Sequence, residues 1–505
     1  MKAMKLIALG LDGAGFNLIA PWIDSGLLPN LAALQKSGVS CPLNVCLPPV
    51  TSPNWKCFST GKNPGKLGVF WWENIDWQNK KIIVPDARSF AGEEVWDILS
   101  QAGYKVGILN MPTCYPPHQV NGFMAAGGPD ALETGFAFPR ELEKVLREKY
   151  GWRVLPKTIS FLSANNQKAI EEIYSIIEKR FVAAIDLAKE YNLDFLALTI
   201  YLINVLRHFF GSGEKLLRAW QIIDRGIGEL RAAFPETNFI IFSDHGSSQV
   251  KVKFNINQWL ARHGYLILKD QQKDFQKSFY LKAGLTQARL AKIVSVFGLK
   301  NFLKKYFPRL KSIFPSSSGA VAKTAKENLI DWEKSFAVAS GQGPIYLHPV
   351  CHSEVALSDR RIPMVEILRK YLRMTVGLTQ NDNPRAPREE IIKKLEELEH
   401  NGVKIVKKVY RKEEIYKGEF LNKAPDLIID QGEGVHISGA IGFKDIFETP
   451  SKWLGENQKI GIFMAQGPDI KAAHLPKVSI LDIAPTILKI FNLPIPDDFD
   501  GKPLL

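Results

Sequence analysis

The stretch Asn238–Ser248, NFIIFSDHGSS, decides the fold. An apolar run, FIIF, stops abruptly at Asp244, His245 and Gly246. A short continuous apolar run of this kind reads as a strand buried on both faces. The pattern recurs upstream. MKLIALGL (4–11) reads as a buried strand, and NLAALQKSG (30–38) as a helix closed by glycine. YKVGILNMP (104–112) follows the helix-like EEVWDILSQAG, and DFLALTIY (194–201) continues the series. Such alternation predicts an α/β fold, because parallel neighbours need a long, usually helical, connection. Ligands of open sheets bind beyond the carboxyl ends of the strands. Asp12, Thr51, His208 and Asp244 all stand at or just after such strand ends or helix starts.

The whole chain sets bounds on the rest. Its 505 residues are 46% hydrophobic and 23% charged, which excludes a disordered chain and gives ample core. The net charge of +13 permits attraction to phosphates or anionic surfaces and carries no fold information. Cys41, Cys46, Cys57, Cys114 and Cys351 form no C-x-x-C pair, which argues for free thiols and against a cysteine zinc site. The N-terminal MKAMKLIALGLDGAG lacks a convincing cleavage site, and FLALTIYLINVL (195–206) is too short to span a bilayer. A cytoplasmic protein is expected.

From about Lys269 to Lys334 the texture changes. LAKIVSVFGLKNFLKKYFPRLKSIF (290–314) is basic and amphipathic, and PSSSGA (315–320) reads as a loop. The expected division is a core first part (1–268), an inserted basic helical lid (269–334) and a core second part (335–505). In that second part GPIYLHP (343–349), PDLIID (425–430) and KIGIFMAQGP (459–468) read as strands, and EEIIKKLEELE (389–399) as a helix. The basic stretch either packs on the core with its lysines solvated or lies on an anionic membrane surface.

Taken singly, the chemical candidates are weak. Asp12 in GLDGAGF reads equally as a turn residue before glycine, and the glycines make no G-x-G-x-x-G. Asp244 could cap a helix. Together, two strand-end carboxylates and an imidazole suit a divalent metal such as zinc. In PPVTSPNWKCFSTGKNPGK (48–66), Pro53 suits a first helical turn, with Thr51 or Ser52 near the cap. A hydroxyl there lies where free N–H groups welcome a phosphate. The plain alternative is an ordinary N-cap.

The ordered set GLDG, PPVTSP with TGKNPGK, SDHGS, GIFMAQGPDI, and DIAPTIL before a terminal DGKPLL resembles the alkaline phosphatase superfamily. Within it, the chain is most similar to the type I phosphodiesterase/nucleotide pyrophosphatase branch, from about Lys5 to Leu504. The C-x-P-x-R motif of sulfatases is absent. The resemblance implies a three-layer sandwich with a central, mainly parallel sheet, and a site for two metals. Asp12, Thr51, Asp244 and His245 match one metal site, with Thr51 as nucleophile. For the second site the family pattern has an Asp four residues before a His, and a late His. Here those positions hold Asn204, His208 and Asn457. Amides carry no charge, so this site is expected to be empty or weakly filled.

The expected cofactor is a divalent metal, zinc before manganese, with one or two ions per chain. The expected activity is hydrolysis of phosphate esters on a phosphorylated small-molecule or lipid-linked substrate, with no specific nucleic acid partner. The alternative is a catalytically impaired homologue that binds a phosphorylated ligand or partner, in one version at a membrane through 290–314. Lys62 is a candidate phosphate contact, against the plainer reading of a surface lysine after a turn, and Asn74 in WWEN, after the helix that Thr51 opens, is a candidate donor to a phosphoryl oxygen. Trp71 and Trp72 read as base-stacking or, more simply, as core. Arg207 adjoins His208 but turns roughly 100° away along a helix, Lys459 is a freer candidate for the missing charge, and His436 and His474 are candidates for the missing imidazole although neither stands four residues before GIF.

Overall fold

A computed structural model describes residues 3–156, 167–269, 323–349, 386–450, 453–470, 475 and 478–504. Within them a nine-stranded sheet carries the first core. Its strands are β1 (Leu6–Leu11), β2 (Val39–Asn44), β3 (Val106–Met111), β4 (Gly122–Ala126), β5 (Ala137–Phe138), β6 (Phe195–Ile200), β7 (Asn238–Phe242), β10 (Ile460–Gln466) and β11 (Val478–Ser479). A separate pair, β8 (Gly246–Gln249) and β9 (Gly455–Gln458), runs antiparallel beside it. The spatial order is β11-β2-β10-β7-β1-β6-β3-β4-β5. The run from β7 through β1, β6 and β3 to β4 is parallel throughout. β10 is antiparallel to both its neighbours, and β5 to β4, so the sheet is mixed and mainly parallel.

The apolar runs account for this arrangement. Every residue of β1, β3, β6 and β7 is buried, as a strand covered on both faces requires. Helices Gln167–Glu190 and Glu214–Ala233 pack together as one group. Helices α1 (Thr51–Thr60), Val95–Gln101 and Ile483–Ile490 form another.

Register then positions the chemistry. Gly10 of β1 lies opposite Thr199 of β6 and Phe242 of β7. The chain therefore leaves three adjacent strands at one level. Asp12 follows β1, α2 (Leu202–Phe210) follows β6, and Asp244 follows β7.

The strands read at 343–349 and 425–430 exist as Pro344–Leu347 and Leu427–Gln431, but not in the main sheet. They join Ala337–Ala339 and Val406–Arg411 in a four-stranded antiparallel sheet. With Val252–Asn255 and Val435–Ser438, these strands bury a second core around Trp259, Tyr265 and Ile429. Of the basic segment, residues 270–322, including all of 290–314, lie outside the described residues. Helix Lys323–Leu329, at its far end, ties to the core through a Lys326–Glu73 ion pair of 3.0 Å. Among the described residues no helix is long and apolar enough to cross a membrane.

Candidate active site

Asp12, Asp244 and His245 meet beyond the ends of β1 and β7, and all three are buried. His245 Nε2 is 3.6 Å from Asp12 Oδ1 and 3.4 Å from Asp244 Oδ2. One donor atom from each residue lies within 4.8 Å of the others, so a single ion can touch all three. His245 Nδ1 is 2.9 Å from the Gly246 carbonyl. A carbonyl only accepts, so Nδ1 carries the hydrogen and Nε2 keeps its lone pair toward the carboxylates.

Thr51 opens α1, and its hydroxyl lies against the Asp244 carboxyl closely enough to lower that group's proton affinity. The turn that presents it is built by Asn54. The Asn54 side chain donates to the carbonyls of Cys46, Pro48 and Val50 at 3.0–3.1 Å and accepts from Cys46 N–H at 2.9 Å. Behind it, Trp55 Nε1 donates to Asp12 Oδ2 at 3.2 Å. A Cβ at Gly10 would overlap the Trp55 ring, so only glycine lets α1 approach β1 this closely.

The electrostatics fit a cation. Burial, and next the Asp244 charge, hold the Asp12 carboxyl well above the ordinary range. Burial pushes Asp244 up to about 7. Asp244 Oδ2 is buried without a hydrogen-bond partner. Two dry carboxyls facing one another are costly as bare anions, and a divalent ion resolves that cost. Carboxylate oxygen, imidazole nitrogen and a hydroxyl are donors that suit zinc or manganese.

The three positions of the second site are not assembled in the same way. Asn204 Nδ2 donates to Asp12 Oδ1 at 2.7 Å and lies 3.5 Å from His245 Nε2. His208 is one turn on and buried. Its Nδ1 is 2.7 Å from the Gly455 carbonyl, and its ring stacks on Trp453 at 3.8 Å between centroids. Burial takes its pKa down to about 4, so it is neutral. Asn457, opposite Ser247 across β8–β9, is buried with Oδ1 unpartnered.

The substitutes considered for the missing charge are also placed. Arg207 Nε points at Ser247 Oγ, at 3.5 Å, and Lys459 faces Asp430 at 3.9 Å. His436 binds buried Glu456 at 2.5 Å, and His474 is outside the described residues. Glu456 also accepts from Trp453 Nε1 and Gln342 Nε2. Trp71 donates to Gln342 at 3.0 Å.

The structure does not bring Lys62 or Asn74 to this cluster. Lys62 pairs with Asp498 and Lys66 with Asp500, so the TGKNPGK loop pins the C-terminal segment. Asn74 closes a local turn, with Oδ1 accepting from Phe70 N–H and Nδ2 donating to the Gly68 carbonyl. Residues that sequence reasoning missed are Asn54, Trp55 and Glu456. A buried-type Asn-Trp pair just after a prolyl helix start was the available signal for the first two.

The family model for type I phosphodiesterase / nucleotide pyrophosphatase matches residues 6–318. The chain belongs to this family. Two solved structures of phosphonoacetate hydrolase from Sinorhizobium meliloti 1021 share its fold. The complex with phosphonoformate matches with a TM-score of 0.57 at 12% identity, and the complex with phosphonoacetate with 0.58 at 13%. Each match covers 95% of this chain and 94% of the other, and at such identity the likeness is of fold alone. A sulfatase, ppz1, of Metarhizium majus (strain ARSEF 297) is 38% identical over 58 residues. That match spans 11% of this chain and only 14% of the sulfatase. The family thus rests on the long match, and the fold on the alkaline phosphatase-like architecture it shares with the hydrolase.

Proposed function

We propose that the protein is a metal-dependent hydrolase of phosphate esters with Thr51 as nucleophile. The observation that carries this is the meeting of Asp12, Asp244 and His245 at one end of the sheet, with Thr51 buried at the start of α1. Asp12, Asp244, His245 and Thr51 would hold a divalent ion, zinc before manganese. When bound, that ion supplies Lewis-acid stabilisation of the attacking oxygen.

The chain's own residues do the rest. Asn54 fixes the turn so that Thr51 is presented at the start of α1, toward the strand ends. Thr51 releases its hydroxyl proton to solvent as Oγ1 bonds to phosphorus, while the ester oxygen leaves on the opposite side and takes up a proton; water then adds at phosphorus, breaks the Thr51 O–P bond and restores the hydroxyl. Trp55 and Asn204 hold Asp12 on both oxygens. Asn204 and Asn457, where the family pattern has Asp and His, carry no charge and supply weaker metal donors to a second ion that would offset a departing oxygen's charge. Esters with good leaving groups are therefore the favoured substrates.

The test is hydrolysis of bis(4-nitrophenyl) phosphate in zinc or manganese. Thr51→Ala is expected to lower kcat by roughly 10³-fold or more. Unchanged turnover in that variant would remove Thr51 from its role. The uncharged pair Asn204 and Asn457 favours a second reading, a homologue that binds a phosphorylated ligand and does not turn it over. Metal-dependent cleavage by the wild-type protein rules that reading out.

A further inference from the structure

We infer that Asn204 is a positioning residue for Asp12 in a centre for one divalent ion, and not a ligand for a second. This rests on the reading of Asp12, Asp244 and His245 as a cation site. The structure sets the NH₂ end of the Asn204 amide 2.7 Å from Asp12 Oδ1, as a donor to that oxygen. The same NH₂ lies 3.5 Å from His245 Nε2, so one amide touches two of the three cluster residues. Its other end is turned away and enclosed. Asn204 Oδ1 is buried, has no partner, and lies 2.5 Å from where a Cβ at residue 13 would stand. Gly13, at φ +69°, leaves the space that the amide fills.

Charge count agrees. The cluster holds two carboxylates, Asp12 and Asp244, which balance one dication. A second dication would need further anionic donors to offset its burial. Among the described residues the other group of potential metal donors, Glu94, Asp97 and His118, is occupied differently. Lys56 pairs with Glu94 at 2.8 Å, and His118 with Asp97 at 2.7 Å. An aspartate at position 204 would set a third carboxylate against Asp12. The amide instead converts that contact into an orienting hydrogen bond, the kind of outer support that metal ligands commonly have.

Titration of chelator-treated protein with Mn²⁺ or Zn²⁺ tests this, with thermal melting of the ion-free form alongside. Wild type is expected to bind one ion. Asn204→Ala should still bind one, about 10–100-fold more weakly. Asn204→Asp should melt lower than Asn204→Ala when ion-free at pH 8, through repulsion with Asp12. Wild-type affinity in Asn204→Ala overturns the inference. So does a wild type that binds two ions and loses one in Asn204→Ala, since Asn204 would then be a ligand. Asp244→Asn separates this from failure of the underlying reading. If wild type and Asp244→Asn bind alike, the cation site itself is wrong; if only the Asn204 expectations fail, the site stands and the positioning role falls.

Discussion

At the scale of single residues, Asp12 and Asp244 are buried carboxyls whose proton affinity is raised, mainly by burial. A raised folded-state pKa means that the native state holds protons the unfolded chain has released. Its stabilising share is present below the ordinary carboxyl range and is lost as pH rises through the folded value. For Asp244 that window runs from 3.8 to about 7. Ion-free protein should therefore lose on the order of a few kcal/mol from this cluster between about pH 4 and pH 7. Because protons compete with the ion, the gain in melting temperature on adding Mn²⁺ should grow across the same window. Melting curves at pH 5 and pH 8, with and without the ion, check both trends, and Asp244→Asn should flatten them. A gain from the ion that is equal at the two pH values would count against a site built on these carboxyls. The residues themselves were legible in the sequence, because each stands where a buried run stops. The hydrogen bond from Asn204 to Asp12 was not. It depends on which end of an amide faces a carboxylate across 192 positions of chain.

At the scale of elements, α1 is where local sequence and catalysis meet. Ser52, at φ −105° and ψ 116°, is not helical, so Thr51 sits on a bent entry and not on a regular first turn. Asn54 holds that entry with four hydrogen bonds to Cys46, Pro48 and Val50. Asn54→Ala leaves buried backbone groups unpaired, at a cost of roughly 1–3 kcal/mol. If Thr51 is the nucleophile proposed above, the variant should lower kcat more than it alters KM, because it displaces Thr51 and leaves the strand-end cluster in place. Chemical denaturation beside steady-state kinetics reads both effects. A variant that is destabilised with kcat unchanged would make Asn54 a purely structural clamp. Pro53 made the helix start legible. The clamp was not legible, since an asparagine in the first turn of a helix has no pattern that says it reaches backward. Lys62 and Asn74 have partners that the sequence did not announce, for a related reason. Both follow the nucleophile segment in sequence, but Asp498, Gly68 and Phe70 offer them nearer partners.

At the scale of the molecule, two buried cores share one chain, and Glu456 lies where they meet. Strand periodicity announced the first core. It could not separate the second, because a short apolar run such as PIYL is the same signal in either sheet. Glu456 is on β9, beside the strand-end cluster, and accepts hydrogen bonds from Gln342 and His436 of the second unit and from Trp453. Burial opposes its charge, yet His436 first, and then the Gln342 amide among others, bring it down to about 2. A depressed carboxyl stabilises above its ordinary value and loses that share as pH falls toward the folded one. Its window, from 4.5 to about 2, lies below that of Asp244, and the sign is opposite. Glu456→Ala leaves the donors Gln342 and Trp453 without their acceptor, so it should cost roughly 1–3 kcal/mol at pH 7. Glu456→Gln keeps an acceptor for the indole and the amide and should cost less. Near pH 2 the protonated wild type and Glu456→Gln should converge in stability. If Glu456 couples the cores, the alanine variant should also melt in two steps where wild type melts in one. A single transition at the wild-type midpoint would show that the cores are held together by apolar packing and not by this carboxylate.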